Sequence, residues 1–176
     1  MSTTKWVIDP THSEIGFKVK HMMFTNVSGK FSKFDATIEV EDNDFENAKI
    51  EFTGAIDSVT TGNADRDTHL LSADFFDAVQ FPEIKFSATS FTKINESEYK
   101  LVGDLNLHGV TKSLELATEF GGLMKDPWGN TKMALSLVGK INRKDWGLNW
   151  NSVLETGGVL VSDEVRLNIE LQFLQQ

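Results

Sequence analysis

The chain contains no cysteine, only three prolines and a single tyrosine among its 176 residues. The lack of cysteine excludes disulfide bonds, thiol catalysis and cysteine-ligated metal sites together. No apolar run approaches the length that a membrane-spanning helix requires. No stretch rich in glycine, serine or proline suggests a linker, so we expect residues 1–176 to form one domain.

Cations are scarce relative to acidic groups, with 17 lysines and arginines against 26 aspartates and glutamates and a net charge of -9. A chain of this charge repels phosphates, so nucleic acid is not an expected partner. Several cations nevertheless fall close together early in the chain, among them Lys18, Lys20 and Lys30. One interpretation is that they lie on the solvent-exposed face of a strand. The other is that they form a basic rim that binds an anionic head group.

No catalytic, phosphate-binding or dinucleotide-binding motif is present in the sequence. The four histidines are spread without the local pairing that is typical of zinc ligands, so we predict no metal site and no cofactor. The N-terminus has no basic segment followed by an apolar one. We therefore expect a cytoplasmic protein, or a periplasmic one if the chain is a trimmed mature form.

Most of the chain alternates apolar and polar residues, and phenylalanine is abundant at 13 residues. In one example, Ile15, Phe17 and Val19 alternate with polar neighbours such as Lys18. A period of two indicates antiparallel strands with one buried face. The segments predict an all-β fold, a closed antiparallel β-barrel of about eight strands, which has room for packed side chains or one small ligand.

Residues 63–79 break the alternation and predict a short helical insert of two helices, capped by Asn63 and Ser72. The insert carries the polar cluster around Arg66, Asp67 and His69. One interpretation is that Arg66 and Asp67 pair and cap the insert; the other is that Arg66 and His69 bind a polar head group. A pair of Asp67 and His69 doing acid–base chemistry is a third and weaker hypothesis.

Four glycines, Gly16, Gly54, Gly103 and Gly139, fall where alternation places a side chain inside the barrel. They indicate either barrel curvature or the close approach of a ligand, and the second reading requires a hollow interior.

Trp128, Trp146 and Trp150 lie in loop stretches near the C-terminal strands. They are expected to contact a ligand or partner at the barrel mouth, or to plug one end of the barrel.

Four ordered blocks of the sequence resemble the YceI-like lipid- and polyisoprenoid-binding family. They begin with Asp9-Pro10-x-His12-Ser13-x-Ile15-x-Phe17, Arg66-Asp67-x-His69-Leu70-x-Ser72-x-Asp74-Phe75-Phe76, Gly103-x-Leu105-x-Leu107-x-Gly109, and Ile141-Asn142-Arg143-x-x-Trp146-Gly147. The resemblance covers nearly the whole chain. In the fourth block, Trp146 stands where phenylalanine is more usual.

The resemblance implies an extended lipocalin-like barrel that acts as a non-catalytic carrier, with a long tunnel for an isoprenoid, a quinone or a fatty-acyl-like lipid. Proteins of this family often form homodimers. The expected tunnel-wall residues are Phe17, Val19, Ile38, Phe52, Phe75, Phe76, Phe81, Phe86 and Leu105. The expected head-group residues are His21, Arg66 and His69. The alternative is a structural or stress-related interaction protein with a filled barrel and no physiological lipid.

Overall fold

A computed structural model describes residues 2–22, 24–151 and 160–176 of the chain. Within these residues the alternating segments form eleven strands, and the insert contributes one α-helix. The elements are β1 (Thr3–Ile8), β2 (Glu14–His21), β3 (Thr25–Phe31), β4 (Phe34–Glu41), β5 (Asp44–Ala55), β6 (Val59–Thr60), α1 (Ala64–Leu71), β7 (Glu83–Lys93), β8 (Glu98–Leu107), β9 (Val110–Lys125), β10 (Thr131–Asn142) and β11 (Val161–Gln175).

Eight of the strands close into a ring in the order β1-β4-β5-β7-β8-β9-β10-β11, and β11 returns to β1. Every neighbouring pair in the ring is antiparallel. The closed antiparallel barrel expected from the alternation is therefore confirmed. The other three described strands, β2, β3 and β6, continue the sheet from β11 at one end of the barrel.

Closure depends on β11, because this strand holds two partners along one edge. The segment from Val161 to Glu170 pairs with β2, and the segment from Phe173 to Gln175 pairs with β1. On its opposite edge β11 pairs with β10 from Glu164 to Leu174. β1 and β2 thus act as one long strand that bends between them.

The bend between β1 and β2 is a hydrogen-bonded corner built around Asp9. Its carboxylate accepts bonds from the backbone N–H of Thr11 at 3.1 Å and from the Thr11 hydroxyl at 2.7 Å, and it lies 2.7 Å from Nδ1 of His12. The Ser13 hydroxyl donates to the Asp9 carbonyl and accepts from the backbone N–H of Gln172 on β11. The corner therefore replaces the strand bonds that the bend interrupts.

One end of the barrel, here called the aromatic end, is filled by a chain of ring contacts. Phe45 joins Trp6 to Phe120, and Tyr99 joins Phe120 to Phe91, with ring centroids between 4.5 and 6.2 Å apart. Trp6, Tyr99 and Phe91 are buried. Stacked and tilted rings of this kind exclude water and close this end.

The opposite end, here called the helix end, is covered by the insert. Asn63 caps α1 as expected, since its side chain accepts from the backbone N–H of Arg66. The second predicted helix is absent: Ser72 ends α1 in an extended conformation, and residues 73–80 form turns and irregular structure. The backbone N–H of Asp77 bonds back to the Ser72 carbonyl, and this folding-back competes with a helical continuation.

The Asp9 corner gives the fold a dependence on pH. The hydrogen bond from the Thr11 hydroxyl lowers the pKa of Asp9 below its ordinary value of 3.8; partial burial opposes this shift and His12 reinforces it. A carboxyl group whose pKa is lower in the folded state contributes stability above its unfolded pKa, and that contribution is lost as pH falls through the folded pKa.

We expect Asp9→Asn to lower the free energy of unfolding at neutral pH, and the difference from wild type to shrink below about pH 4. Urea denaturation at a series of pH values measures this difference, with Asp104→Asn on the outer face of β8 as the control. A constant difference across the acid range would show that the Asp9 charge plays no part.

Candidate ligand-binding cavity

The interior of the barrel is hollow. A cavity of about 210 Å³ runs from Phe91 and Phe173 near the aromatic end to Phe75 and Leu148 at the helix end. β11 alone contributes Val161, Val165, Leu167, Ile169, Leu171 and Phe173 to its lining. The span from Val165 to Phe173 corresponds to about 26 Å of strand, so the cavity is elongated.

Eight of the nine expected wall residues line this cavity: Phe17, Val19, Ile38, Phe52, Phe75, Phe76, Phe86 and Leu105. Phe81 is outside the lining. Its ring packs on His108 with centroids 5.0 Å apart and lies over Gly109, where an added Cβ would come within 2.5 Å of it. Phe81 thus fastens the end of the insert to the turn between β8 and β9. That the wall residues contact a ligand stays a prediction.

Large side chains lie flat on glycines of neighbouring strands. A Cβ on Gly103 would come within 2.4 Å of the Phe86 ring, and one on Gly29 within 2.3 Å of the Phe17 ring. Because each ring occupies the space that a side chain would take, it stays against the wall instead of filling the centre. This packing keeps the barrel hollow although its wall is rich in phenylalanine.

The interior position expected for Gly16 is wrong. Gly16 alternates with Ile15 and Phe17, which both line the cavity, so it belongs to the outer face of β2 with Lys18. A Cβ there would come within 2.9 Å of the carbonyl oxygen of Asn168 on β11. Its role is the close approach of two strands.

The insert provides the cover of the helix end. Leu70 of α1 and the rings of Phe75 and Phe76 line the cavity at the helix end. On its outer side, Phe75 contacts His69 and Trp150, with ring centroids 5.0 and 5.2 Å away. The cover is therefore a layer of side chains rather than a pair of strands.

Arg66 and Asp67 both bind Thr61 at the start of the insert. Arg66 donates from Nε to the Thr61 hydroxyl at 2.7 Å and from a terminal nitrogen to the Thr61 carbonyl at 3.0 Å. Asp67 accepts from the backbone N–H and the hydroxyl of the same residue at 2.9 and 2.6 Å. Of the two interpretations, this geometry favours the structural one, with Thr61 as the bridge between the two charged groups.

The other polar residues expected at the site lie outside the cavity lining. His69 Nε2 is 2.9 Å from the carboxylate of Asp74, so His69 is joined to Asp74 and not to Asp67. The acid–base pair considered from the sequence is therefore not formed. His21 ends β2, opposite Val161 and Thr25. Head-group binding by His21, Arg66 and His69 stays a prediction.

Among the described residues, Arg143 is the one charged group in the lining. Its side chain is buried, and it donates to the carbonyl oxygens of Leu148, Trp150, Val161 and Ser162. Burial lowers the pKa of the Arg143 guanidinium, and the nearby carboxylate of Asp163 acts against this shift. Arg143 thus ties residues 148–150 to the start of β11.

Sequence reasoning did not place Arg143 in the site, although a signal was present. Ile141 of β10 faces the cavity, and Arg143 follows it by two residues. The alternation along β10 therefore places Arg143 on the cavity side as well. Arginine is rarely buried, so alternation alone does not justify placing an arginine inside a barrel. The carbonyl oxygens that make burial possible here are known only from the structure.

The three tryptophans have different environments. Trp146 is buried, and its indole N–H donates to the carbonyl oxygen of Leu105 at 3.0 Å, so the polar atom that phenylalanine lacks is satisfied. Trp150 belongs to the cover over Phe75. Trp128 is 83% exposed in the turn between β9 and β10 at the aromatic end, away from the helix-end cover.

In residues 2–22, 24–151 and 160–176, no group of three or more acidic or histidine side chains is arranged to hold a metal ion. No helix in these ranges is long and apolar enough to cross a membrane.

The profile of the YceI-like domain matches residues 6–173. The chain belongs to the YceI-like family. It is 37% identical to a UPF0312 protein of Staphylococcus aureus strain N315 over 171 residues, covering 97% of each chain. The crystal structure of a YCEI protein of Campylobacter jejuni is similar with 34% identity and a TM-score of 0.77, covering 89% of this chain and 90% of that one.

Two more distant structures share the fold. BcnA of Burkholderia cenocepacia has 19% identity and a TM-score of 0.81, covering 94% of this chain and 98% of its own. A polyisoprenoid binding domain of Saccharophagus degradans has 14% identity and a TM-score of 0.74, covering 97% and 98%.

The motifs by which this YceI-like chain resembles its family can now be assigned physical roles. The first block builds the Asp9 corner, the second builds the cover of the helix end, and the fourth supplies the Arg143 clamp. The third block places Gly103 beneath the Phe86 ring and Gly109 beneath Phe81. The motifs thus build and cover the cavity.

The packing of Phe86 on Gly103 predicts a strong response to a single methyl group. In Gly103→Ala the new Cβ would lie 2.5 Å from the carbonyl oxygen of Ser87, which belongs to the backbone and cannot turn away. We expect the free energy of unfolding to fall by about 1–3 kcal/mol. In the control, Gly54→Ala, the nearest atoms are in the Phe52 ring at 3.3 Å, and we expect a change below about 1 kcal/mol in urea denaturation. Equal effects would contradict this packing.

Arg143→Met leaves buried carbonyl oxygens without a donor. Since each such oxygen costs roughly 1–3 kcal/mol, we expect a loss of at least about 2 kcal/mol in the free energy of unfolding. Arg166→Met, at an exposed position on β11, should change stability by less than about 0.5 kcal/mol. Thermal and urea unfolding of the two variants give the comparison, and similar losses in both would argue against the clamp.

Proposed function

We propose that this protein is a non-catalytic lipid-binding protein that holds the apolar chain of an isoprenoid, a quinone or a fatty-acyl-like lipid in its cavity. The single observation that carries the proposal is the elongated cavity, lined by apolar side chains apart from Arg143 in the described part of the chain. Apolar burial contributes about 0.8 kcal/mol per CH₂ and does not depend on direction, so an unbranched or branched chain suits such a lining.

The hydrogen bonds of Arg143 indicate that the cavity binds a ligand by burying its apolar part and not by pairing with a charged group. Four backbone carbonyl oxygens already accept from its guanidinium. A lipid carboxylate or phosphate would have to displace these bonds. The interior therefore suits the tail of a lipid, with its polar head at the helix end, near the insert that carries Arg66 and His69.

The family and one structural neighbour support the same class of ligand. The Saccharophagus degradans domain is described as polyisoprenoid binding, and its barrel resembles this one along nearly the whole chain. The alternative function, a structural or interaction protein, requires a filled barrel, and the hollow interior argues against it.

The first experiment is organic extraction of the purified protein followed by mass spectrometry, with an unrelated purified barrel protein as the control. We expect close to one isoprenoid, quinone or fatty-acyl lipid per chain. If extraction finds none, a panel of these lipids is offered to the protein and binding is measured directly. A chain that takes up none of them would favour the interaction-protein function.

A matched pair of variants on β11 tests whether the lipid lies inside the barrel. Ile169 lines the cavity, and its neighbour Asn168 is exposed on the outer face. In Ile169→Trp the indole takes space from the ligand, and the loss of about two buried CH₂ groups weakens binding about tenfold or more. Asn168→Trp adds the same group outside and should leave the affinity unchanged. Fluorescent fatty-acid titration measures both, and equal affinities would exclude the cavity as the binding site.

A further inference from the structure

The outer surface of the helix end carries a concentration of cations that contrasts with the net charge of -9. These residues lie on the solvent-facing sides of β2, β3, β10 and β11, and their surface is called here the basic face. Its cations are Lys18, Lys20, Lys30, Lys140 and Arg166.

Strand register brings these cations together. Arg166 pairs across β11 with Lys140 on one side and with Lys18 on the other, which places three cations in one row at about 4.8 Å per strand. Lys30 is paired with Gly16, two residues before Lys18 on β2. Like charges directly opposite one another destabilise a sheet, and an anion held against this row would relieve the repulsion.

One carboxylate offsets part of this charge. Glu164 lies 3.5 Å from Lys140 and 3.4 Å from Arg166. No carboxylate in the described residues lies within ion-pair distance of Lys18, Lys20 or Lys30. The β2–β3 side of the basic face is therefore free to meet an anionic surface.

Two exposed apolar residues stand at the tip of the β2–β3 hairpin, directly beyond the basic face. Phe24 is 90% exposed and Met22 is 51% exposed. The tip is also beside the cavity, since Val19 and Val161 line it and His21 pairs with Val161. Apolar side chains at the end of a projecting turn, flanked by lysines, match the depth profile of a bilayer, whose charged head groups overlie apolar chains.

We propose that the basic face and the hairpin tip dock the helix end of the barrel onto an anionic lipid bilayer. Phe24 and Met22 enter the interfacial region, and the lysines of β2 and β3 lie against the head groups. The docking is inferred from this surface alone. Docking would allow lipid to exchange between the bilayer and the cavity, and this second step rests on the proposed function. A flat protein partner would be expected to cover a contiguous apolar patch. Among the described residues, the exposed apolar groups near this surface stand on separate elements: Met22 and Phe24 at the tip, Val79 after α1 and Val138 on β10.

Sedimentation with vesicles tests the docking. The full chain, stripped of lipid by organic extraction and refolded, is mixed with vesicles of phosphatidylcholine alone or of phosphatidylcholine with phosphatidylserine. We expect binding only to the mixture that contains phosphatidylserine, and its loss when salt is raised from roughly 0.1 to 1 M, where the Debye length falls from about 10 to about 3 Å.

Charge-matched variants locate the surface. The double variant K18E/K20E should weaken vesicle binding at least about tenfold, whereas K49E/K125E, with the same net charge on exposed positions elsewhere, should bind within about twofold of wild type. Phe24→Ser should also weaken binding, while Trp128→Ser at the aromatic end should not. Circular dichroism and thermal unfolding confirm that each variant is folded.

Three results would overturn the proposal: equal binding to both kinds of vesicle, equal losses in K18E/K20E and K49E/K125E, or self-association through the tip without any vesicle binding. The outcome is separable from that of the proposed function, because lipid uptake is measured without vesicles and vesicle binding without cargo. A chain that takes up lipid but ignores vesicles would retain the proposed function and lose the docking surface.

Discussion

The structure depends on the pairing of β11 with both β1 and β2, because this shared edge closes the barrel. One strand cannot hold two successive partners along the same edge unless the chain between them bends without losing its hydrogen bonds. The Asp9 corner supplies the bend, and Ser13 links it to Gln172 on β11. At the other end, β2, β3 and β6 continue the sheet from β11, and the insert that follows β6 lies over the cavity. The cavity is therefore covered there by loops and side chains.

A hollow interior in a small barrel requires large side chains that do not meet in the centre. Here the rings of Phe17 and Phe86 lie on glycines of adjacent strands, while Trp6, Phe45 and Tyr99 fill the aromatic end. The two groups of rings have opposite effects, since the first keeps space open and the second closes it. Arg143 completes the helix end by binding four carbonyl oxygens at the boundary of the cavity. The charge stays in the wall, which suits a site for an apolar chain.

The alternation of apolar and polar residues predicted the cavity wall well, because every second residue of a strand faces the same side of the sheet. Phe17, Ile38, Phe52 and Phe86 follow this rule and line the cavity. The interior position predicted for Gly16 was wrong by this same rule, because its neighbours Ile15 and Phe17 face the cavity. Outside the strands the rule does not apply. Phe81 lies after the insert, where the chain is irregular, and the path of the backbone takes its ring to His108 and Gly109. The second helix failed because Ser72 caps the end of α1 instead of beginning another helix.

By itself the sequence determined an acidic, cysteine-free β-barrel with a phenylalanine-rich inner face, because composition and alternation are local properties. The tertiary structure alone decided that the barrel is hollow, since this depends on which rings face glycines across strands. It also decided the partners of the polar residues: Arg66 and Asp67 meet at Thr61, and His69 meets Asp74. Such contacts depend on distances set by register and loop path, which no residue pattern encodes directly. The basic face has the same origin, because Lys140, Arg166 and Lys18 become neighbours only through the pairing of three strands.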